Sequence, residues 1–162
     1  LVRALSGNRE LIRDTEMQRA GLQLIEEERR RVLESPRCVV SPRLIGAGEM
    51  FLALGRYAEA ESVCRAVTAG APMMGRAWIN LGIAQTEQGK EEALDTLRHA
   101  CQIAPKEVFA WISLHRAASR AGLEDEARTA IERAKRVNPK TTALFLATQQ
   151  DTRKNASRPP AQ

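Results

Sequence analysis

The sequence feature that most constrains this fold is a pattern that occurs three times at a period of 33 or 34 residues. It is aligned by Pro72, Pro105 and Pro139. Each of the last two prolines follows a tryptophan, a leucine, a glycine and two alanines, which are Trp78, Leu81, Gly89, Ala93 and Ala100, and then Trp111, Leu114, Gly122, Ala127 and Ala134. The matching residues before Pro72 are Leu44, Ala47, Gly55 and Ala60. A pattern with this period indicates a stack of similar units rather than one layered core.

Each unit divides into two apolar stretches with helical periodicity. A glycine separates the stretches, and a proline ends the second because it lacks an amide hydrogen and cannot continue a helix. A unit of this length cannot bury both of its helices alone, so neighbouring units must stack and share a core. The sequence therefore predicts an all-α protein built of helical hairpins.

With its Trp-x-x-Leu, turn glycine, Glu-Ala and closing proline, the pattern resembles the tetratricopeptide repeat family. The resemblance covers residues 41–139 as three repeats and implies a helical-hairpin solenoid closed by a capping helix from Thr142 to about Gln150. Together these form a predicted repeat domain over 41–150. Two departures are visible: His115 stands where the family has a small residue, and the middle unit is one residue shorter after Lys90. The shorter unit predicts that its second helix starts one residue early.

The regions outside the repeats are more polar. Residues 1–35 are predicted to form a charged N-terminal helix, centred on 8–34, in which Glu26 and Arg30 are four residues apart and support each other. We expect this helix to pack on the end of the repeats, with a coiled coil as the alternative. Residues 151–162 are predicted to be a polar tail or linker.

Composition excludes several classes of protein. Apolar residues make up 43% of the chain and charged residues 28%, which is typical of a soluble protein, and no apolar run is long enough to span a membrane. The net charge of +5 is spread over the second half of the chain, so no nucleic-acid surface is expected. The cysteines at 38, 64 and 101 form no CxxC pair. They predict a reducing, cytoplasmic location, with Cys64 and Cys101 buried.

The sequence offers no candidate for catalysis. The only histidines, His99 and His115, lie in different units, and no HExxH, GxSxG or phosphate-binding glycine loop is present. Most carboxylates occur in runs on predicted helix surfaces. We therefore expect no enzymatic activity, no cofactor and no bound metal.

The family resemblance implies that the first helices of successive repeats line a concave groove for a peptide or protein segment. The predicted groove residues are Arg76, Ile79, Asn80, Ile83, Glu87, Phe109, Ile112, Ser113, Arg116, Arg120 and Arg153. Helical periodicity predicts that the four apolar members among them form an exposed strip. The three arginines from residue 116 onward would suit a carboxylate or a phosphate on the partner.

These features predict a protein-binding module, an adaptor or scaffold, with a protein or peptide as its partner. Two alternatives remain open at this point: a chaperone of the type III secretion class, and the repeat region of a larger sulfotransferase-like or glycosyltransferase-like enzyme. Self-association is a further alternative, because the ends of a repeat stack expose an apolar face unless they are capped.

Overall fold

The computed structural model describes residues 42–156 and five isolated positions between residues 19 and 30. The described part contains seven helices and no strand. They are α1 (Pro42–Ala53), α2 (Tyr57–Gly70), α3 (Gly75–Glu87), α4 (Ala93–Ile103), α5 (Val108–Arg120), α6 (Glu124–Val137) and α7 (Pro139–Ala156). The prediction of an all-α protein is confirmed for this part of the chain.

The helices pack in the order in which they follow one another. Helices α1 and α2, α3 and α4, and α5 and α6 form three hairpins, and each hairpin packs on the next through α2 with α3 and α4 with α5. In addition, α1 contacts α3, α3 contacts α5, and α5 contacts α7. The helices α1, α3, α5 and α7 are therefore neighbours of one another, and we call them the first-helix layer.

The three turns inside the hairpins have the same geometry. Gly55, Gly89 and Gly122 have positive φ angles of 72°, 70° and 74°. In each turn the amide after the glycine donates to the carbonyl five residues earlier, at 2.9, 3.0 and 2.9 Å. This arrangement ends a helix with its last carbonyls satisfied, and it needs a residue that adopts positive φ without strain. The recurring glycines of the sequence are explained by these turns.

The tryptophans fasten the connections between hairpins. The indole nitrogen of Trp78 donates to the backbone carbonyl of Pro72 at 2.7 Å, and that of Trp111 donates to Pro105 at 2.9 Å. The remainder of each ring packs on a buried cluster that contains Leu97, Leu114 and Ala130, which we call the second hydrophobic cluster. Tryptophan and proline therefore recur together because each indole binds the loop that precedes its own helix.

Small residues in the first helices make room for buried side chains of the second helices. Leu97 is fully buried against Gly82, where an added Cβ would lie 2.5 Å from the leucine side chain. Gly48 similarly faces the Sγ of Cys64. Cys64 and Cys101 are buried, as predicted, and burial raises the pKa of both thiols to about 12. Both are therefore protonated thiols near neutral pH.

Ion pairs join the second helix of one hairpin to the start of the second helix of the next, or to the turn residue just before it, at equivalent positions. Arg65 binds Glu92 at 2.5 Å, and Arg98 binds Glu126 at 2.6 Å. We call these two pairs the outer ladder. At the next equivalent position the chain has Glu132, which instead pairs with Lys135 on its own helix at 2.7 Å.

Two helix boundaries differ from the predictions. Helix α4 starts at Ala93 rather than one residue early, because residues 91 and 92 stay in a turn in which the amide of Ala93 donates to the carbonyl of Lys90 at 3.2 Å. Helix α7 starts at Pro139, since the side chain of Asn138 accepts from the amide of Thr141 at 3.0 Å and caps the helix.

The far ends of the chain are only partly described. Helix α7 continues to Ala156, so the first six residues of the predicted tail, 151–156, are helical. The predicted N-terminal helix over 1–35 lies outside the described residues apart from five exposed helical positions, and residues 157–162 lie outside them as well. Those five positions are Arg19, Gln23, Glu26, Glu27 and Arg30.

Candidate functional site

The predicted groove residues fall on two neighbouring helices of the first-helix layer. Five lie on α3 and five on α5, and the remaining one, Arg153, lies in α7 with its side chain outside the described residues. On α3, Arg76, Asn80, Ile83 and Glu87 follow the spacing of one helix face, and Phe109, Ser113, Arg116 and Arg120 repeat that spacing on α5. The two helices therefore carry matching stripes of residues.

Of the four apolar residues predicted to form an exposed strip, two are buried and one is half-buried. Ile79 is buried in the cluster that contains Leu97 and Leu114, and Ile112 is buried in the cluster that contains Ile131. Both are covered because α3 lies between the first and third hairpins and α5 lies between the second hairpin and α7, so a wide face of each helix is enclosed. Ile83 is half-buried, which leaves Phe109 as the exposed member of the strip.

Phe109 is the most exposed aromatic side chain in the described part of the chain. It lies in the first turn of α5 and is 55% exposed. The neighbouring residues Val108 and Ala110 are buried and hold this turn against the core. The phenyl ring is thus presented to solvent from a well-packed helix.

Ion pairs connect the helices of the first-helix layer. Glu49 of α1 binds Arg76 of α3 at 2.5 Å. Glu87, at the end of α3, accepts hydrogen bonds from both Arg116 and Arg120 of α5, the latter at 3.1 Å. Two of the three arginines predicted to face a partner, Arg116 and Arg120, are therefore already bound to a carboxylate of the same chain.

Two predicted groove residues are buried polar groups. Asn80 and Ser113 occupy matching positions on α3 and α5, and both are buried. The amide nitrogen of Asn80 has no hydrogen-bond partner among the described residues. An orphan donor of this kind costs about 1–3 kcal/mol of folding free energy. Neither side chain is a surface contact in this conformation.

A buried carboxylate that the sequence analysis did not single out is Glu61 on α2. It accepts hydrogen bonds from Lys90 at 2.7 Å, Arg65 at 2.8 Å and Gln88 at 2.7 Å. Burial raises the pKa of Glu61, but these three donors outweigh burial and bring the pKa down to about 2. The group fastens the first hairpin to the turn of the second. Its position within the buried face of α2, after Ala60 and before Cys64, is the signal by which it could have been found.

We expect Glu61 to make the stability of the protein depend on acid. Its folded pKa of about 2 lies below the ordinary value of 4.5, so its contribution is complete above about pH 4.5 and is lost as the pH falls towards 2. The contribution is at most about 3.5 kcal/mol, since one pKa unit corresponds to about 1.4 kcal/mol. Urea unfolding of Glu61→Gln and of the unmodified protein should therefore differ most at neutral pH. The matched control is Glu132→Gln, in an exposed ion pair, and an unfolding difference for Glu61→Gln that stays constant down to pH 2.5 would contradict the expectation.

The two histidines occupy structural positions. His99 packs edge-on against Trp78, with ring centroids 4.5 Å apart, and His115 lies with its Nδ1 2.9 Å from the carbonyl oxygen of Ala127 on α6. Within residues 42–156 and the five isolated positions, there is no group of three or more His, Cys, Asp or Glu side chains that could hold a metal ion. The helices of this same part of the chain are too short or too polar for a membrane crossing.

Comparison with known proteins leaves the chain unassigned to a family. A scan against protein-family models gives no match, and a search of the curated proteins gives none either.

Proposed function

We propose that this chain is a repeat protein of the tetratricopeptide type that binds a segment of another protein on its first-helix layer and carries out no chemistry itself. The observation that carries the proposal is the exposure of Phe109 on a well-packed helix of that layer. An aromatic side chain held in water costs solvation free energy that a partner would recover.

The surroundings of Phe109 support the same interpretation. Arg76 and Arg116 lie on the matching stripes of α3 and α5, and aromatic and arginine side chains are the residues that most often dominate binding energy at protein interfaces. The ion pairs between Glu49 and Arg76 and between Glu87 and Arg116 hold adjacent first helices together. A layer fixed in this way can receive a partner without reordering its own backbone.

The test is the binding of a native partner to single-residue variants. The tagged chain is used to isolate proteins from its source lysate, in parallel with Phe109→Ala and with Leu123→Ala. Leu123 is the matched control because it is an exposed apolar residue in the turn between α5 and α6, outside the helices of the first-helix layer. We expect Phe109→Ala to reduce the affinity of the purified partner at least about tenfold, which is the effect of losing about 1.4 kcal/mol at an aromatic contact.

The control decides how a loss is interpreted. If both variants bind the partner as well as the unmodified chain does, the first-helix layer is not the binding surface. If both lose it equally, the effect does not come from Phe109 and the proposal fails. The identity of a partner that depends on Phe109 would distinguish an adaptor from a chaperone for a secreted protein.

A further inference from the structure

We propose that Arg116 and Arg120 bind an acidic side chain of the partner segment, and that Glu87 occupies their site as an internal competitor until the partner arrives. This inference rests on the proposed function of the first-helix layer. It adds to that function the chemistry of the partner: an extended segment with an acidic residue three positions from a large apolar residue.

The cluster of charged side chains at the end of α3 is not balanced. Two guanidinium groups of α5 share the single carboxylate of Glu87, so the cluster keeps one positive charge in excess. The other ion pair of the layer, Glu49 with Arg76, is balanced one to one. The excess charge of the α3 and α5 stripes is thus located at Arg116 and Arg120.

Arg116 and Arg120 are more accessible to solvent than Glu87 is. The side chains of Arg116 and Arg120 are 34% and 52% exposed, whereas that of Glu87 is 17% exposed. The two cations therefore extend further into solvent than the carboxylate they share. A second carboxylate can approach them from the solvent side, and guanidinium groups bind carboxylates through paired, charge-assisted hydrogen bonds.

The distance between Phe109 and Arg116 matches the spacing of side chains in an extended segment. Phe109 and Arg116 are seven residues apart, which is two helical turns, so they lie on one face of α5 with a separation of about 10.5 Å along its axis. A segment in the extended polyproline II conformation has three residues per turn and advances about 3.1 Å per residue, so its side chains three positions apart lie on one face with a separation of about 9.3 Å. If an apolar side chain of the partner contacts Phe109, the side chain three positions along the partner segment would therefore lie beside Arg116.

Glu87 competes with the carboxylate of the partner for the two arginines. Glu87 is tethered to the same site as the incoming carboxylate, so every partner must displace at least part of its hydrogen bonding. Replacing Glu87 by glutamine removes the competing charge and leaves both arginines in place. We expect this change to raise affinity for an acidic segment about tenfold, in the range that one charge-assisted hydrogen bond accounts for.

The experiment selects random twelve-residue peptides, displayed on phage, on the full chain and on its variants. We expect the selected peptides to contain aspartate or glutamate three positions from a large apolar residue. A synthetic copy of a selected peptide should bind Glu87→Gln about tenfold more tightly, and Arg116→Gln about tenfold more weakly, than the unmodified chain. The same peptide with asparagine or glutamine in place of its acidic residue should bind the chain and Glu87→Gln equally.

Controls separate this inference from the proposed function. Glu132→Gln, which removes an ion pair on α6, should leave peptide affinity unchanged, and thermal unfolding verifies that each variant is folded. If Arg116→Gln does not fold, Arg120→Gln replaces it. Peptides that require Phe109 but show no acidic preference, or an affinity unaltered by Glu87→Gln, would overturn the inference and leave the proposed function standing. A selection that yields no peptide dependent on Phe109 would overturn both.

Discussion

We expect Leu97→Ala to lower the free energy of unfolding by about 2–5 kcal/mol. Leu97 is fully buried at the centre of the second hydrophobic cluster, and its side chain fills the space beside Gly82. Truncation would remove apolar surface from the core and leave a cavity that the surrounding helices cannot fully close. Urea unfolding followed by the fluorescence of Trp78 and Trp111 measures the change. The matched control is Leu144→Ala, an exposed leucine whose loss should change stability by less than about 0.5 kcal/mol.

The same contact can be tested from the side of the glycine. Gly82→Ala would place a methyl group 2.5 Å from Leu97, and overpacking of this kind costs about 1–3 kcal/mol. In the double variant the new methyl group enters the space that Leu97→Ala vacates. We therefore expect the two changes together to cost less than the sum of the single changes, by at least about 0.5 kcal/mol. Additive costs would show that the two residues do not share this space.

The second large effect concerns the first hairpin. Phe51 on α1 is among the largest fully buried side chains of the described residues, so Phe51→Ala should cost about 3–5 kcal/mol. Phe109→Ala deletes the same atoms from a half-exposed position and should cost no more than about 1 kcal/mol. Urea unfolding of both variants gives the comparison. Equal costs would contradict the burial described for these two rings.

The repeating part of the fold could be predicted because its determinants are local. Each turn glycine, each proline and each tryptophan acts within a few residues of its own position, as the turns at Gly55, Gly89 and Gly122 demonstrate. The predicted start of α4 was wrong because the local sequence does not decide where a missing residue is accommodated. A deletion of one residue can be absorbed either by the helix or by the turn before it, and here residues 91 and 92 stay in the turn.

The candidate site was harder to predict because its properties depend on contacts between units. The pattern places Ile79 and Ile112 on the first helices, but only the packing of the neighbouring helices, α5 for Ile79 and α7 for Ile112, decides that they are buried. Glu87 and Arg116 are 29 residues apart, so no local spacing connects them. The outer ladder could have been predicted from the sequence. Its two arginines occupy equivalent positions in the repeat, Arg65 and Arg98, and so do its two glutamates, Glu92 and Glu126.

The outer ladder also has a consequence for growth by head-to-tail addition of further copies. A longer stack would require an arginine at position 132 to meet the glutamate of an added second helix, and the equivalent glutamate of the first hairpin is Glu59. The chain has Glu132 there, so the added copy would bring two carboxylates together, and like charges at close range repel. Helix α7 already packs on α5 and α6, where a further first helix would stand. We therefore expect charge and shape at this end both to oppose growth into the open-ended fibres that repeated surfaces favour.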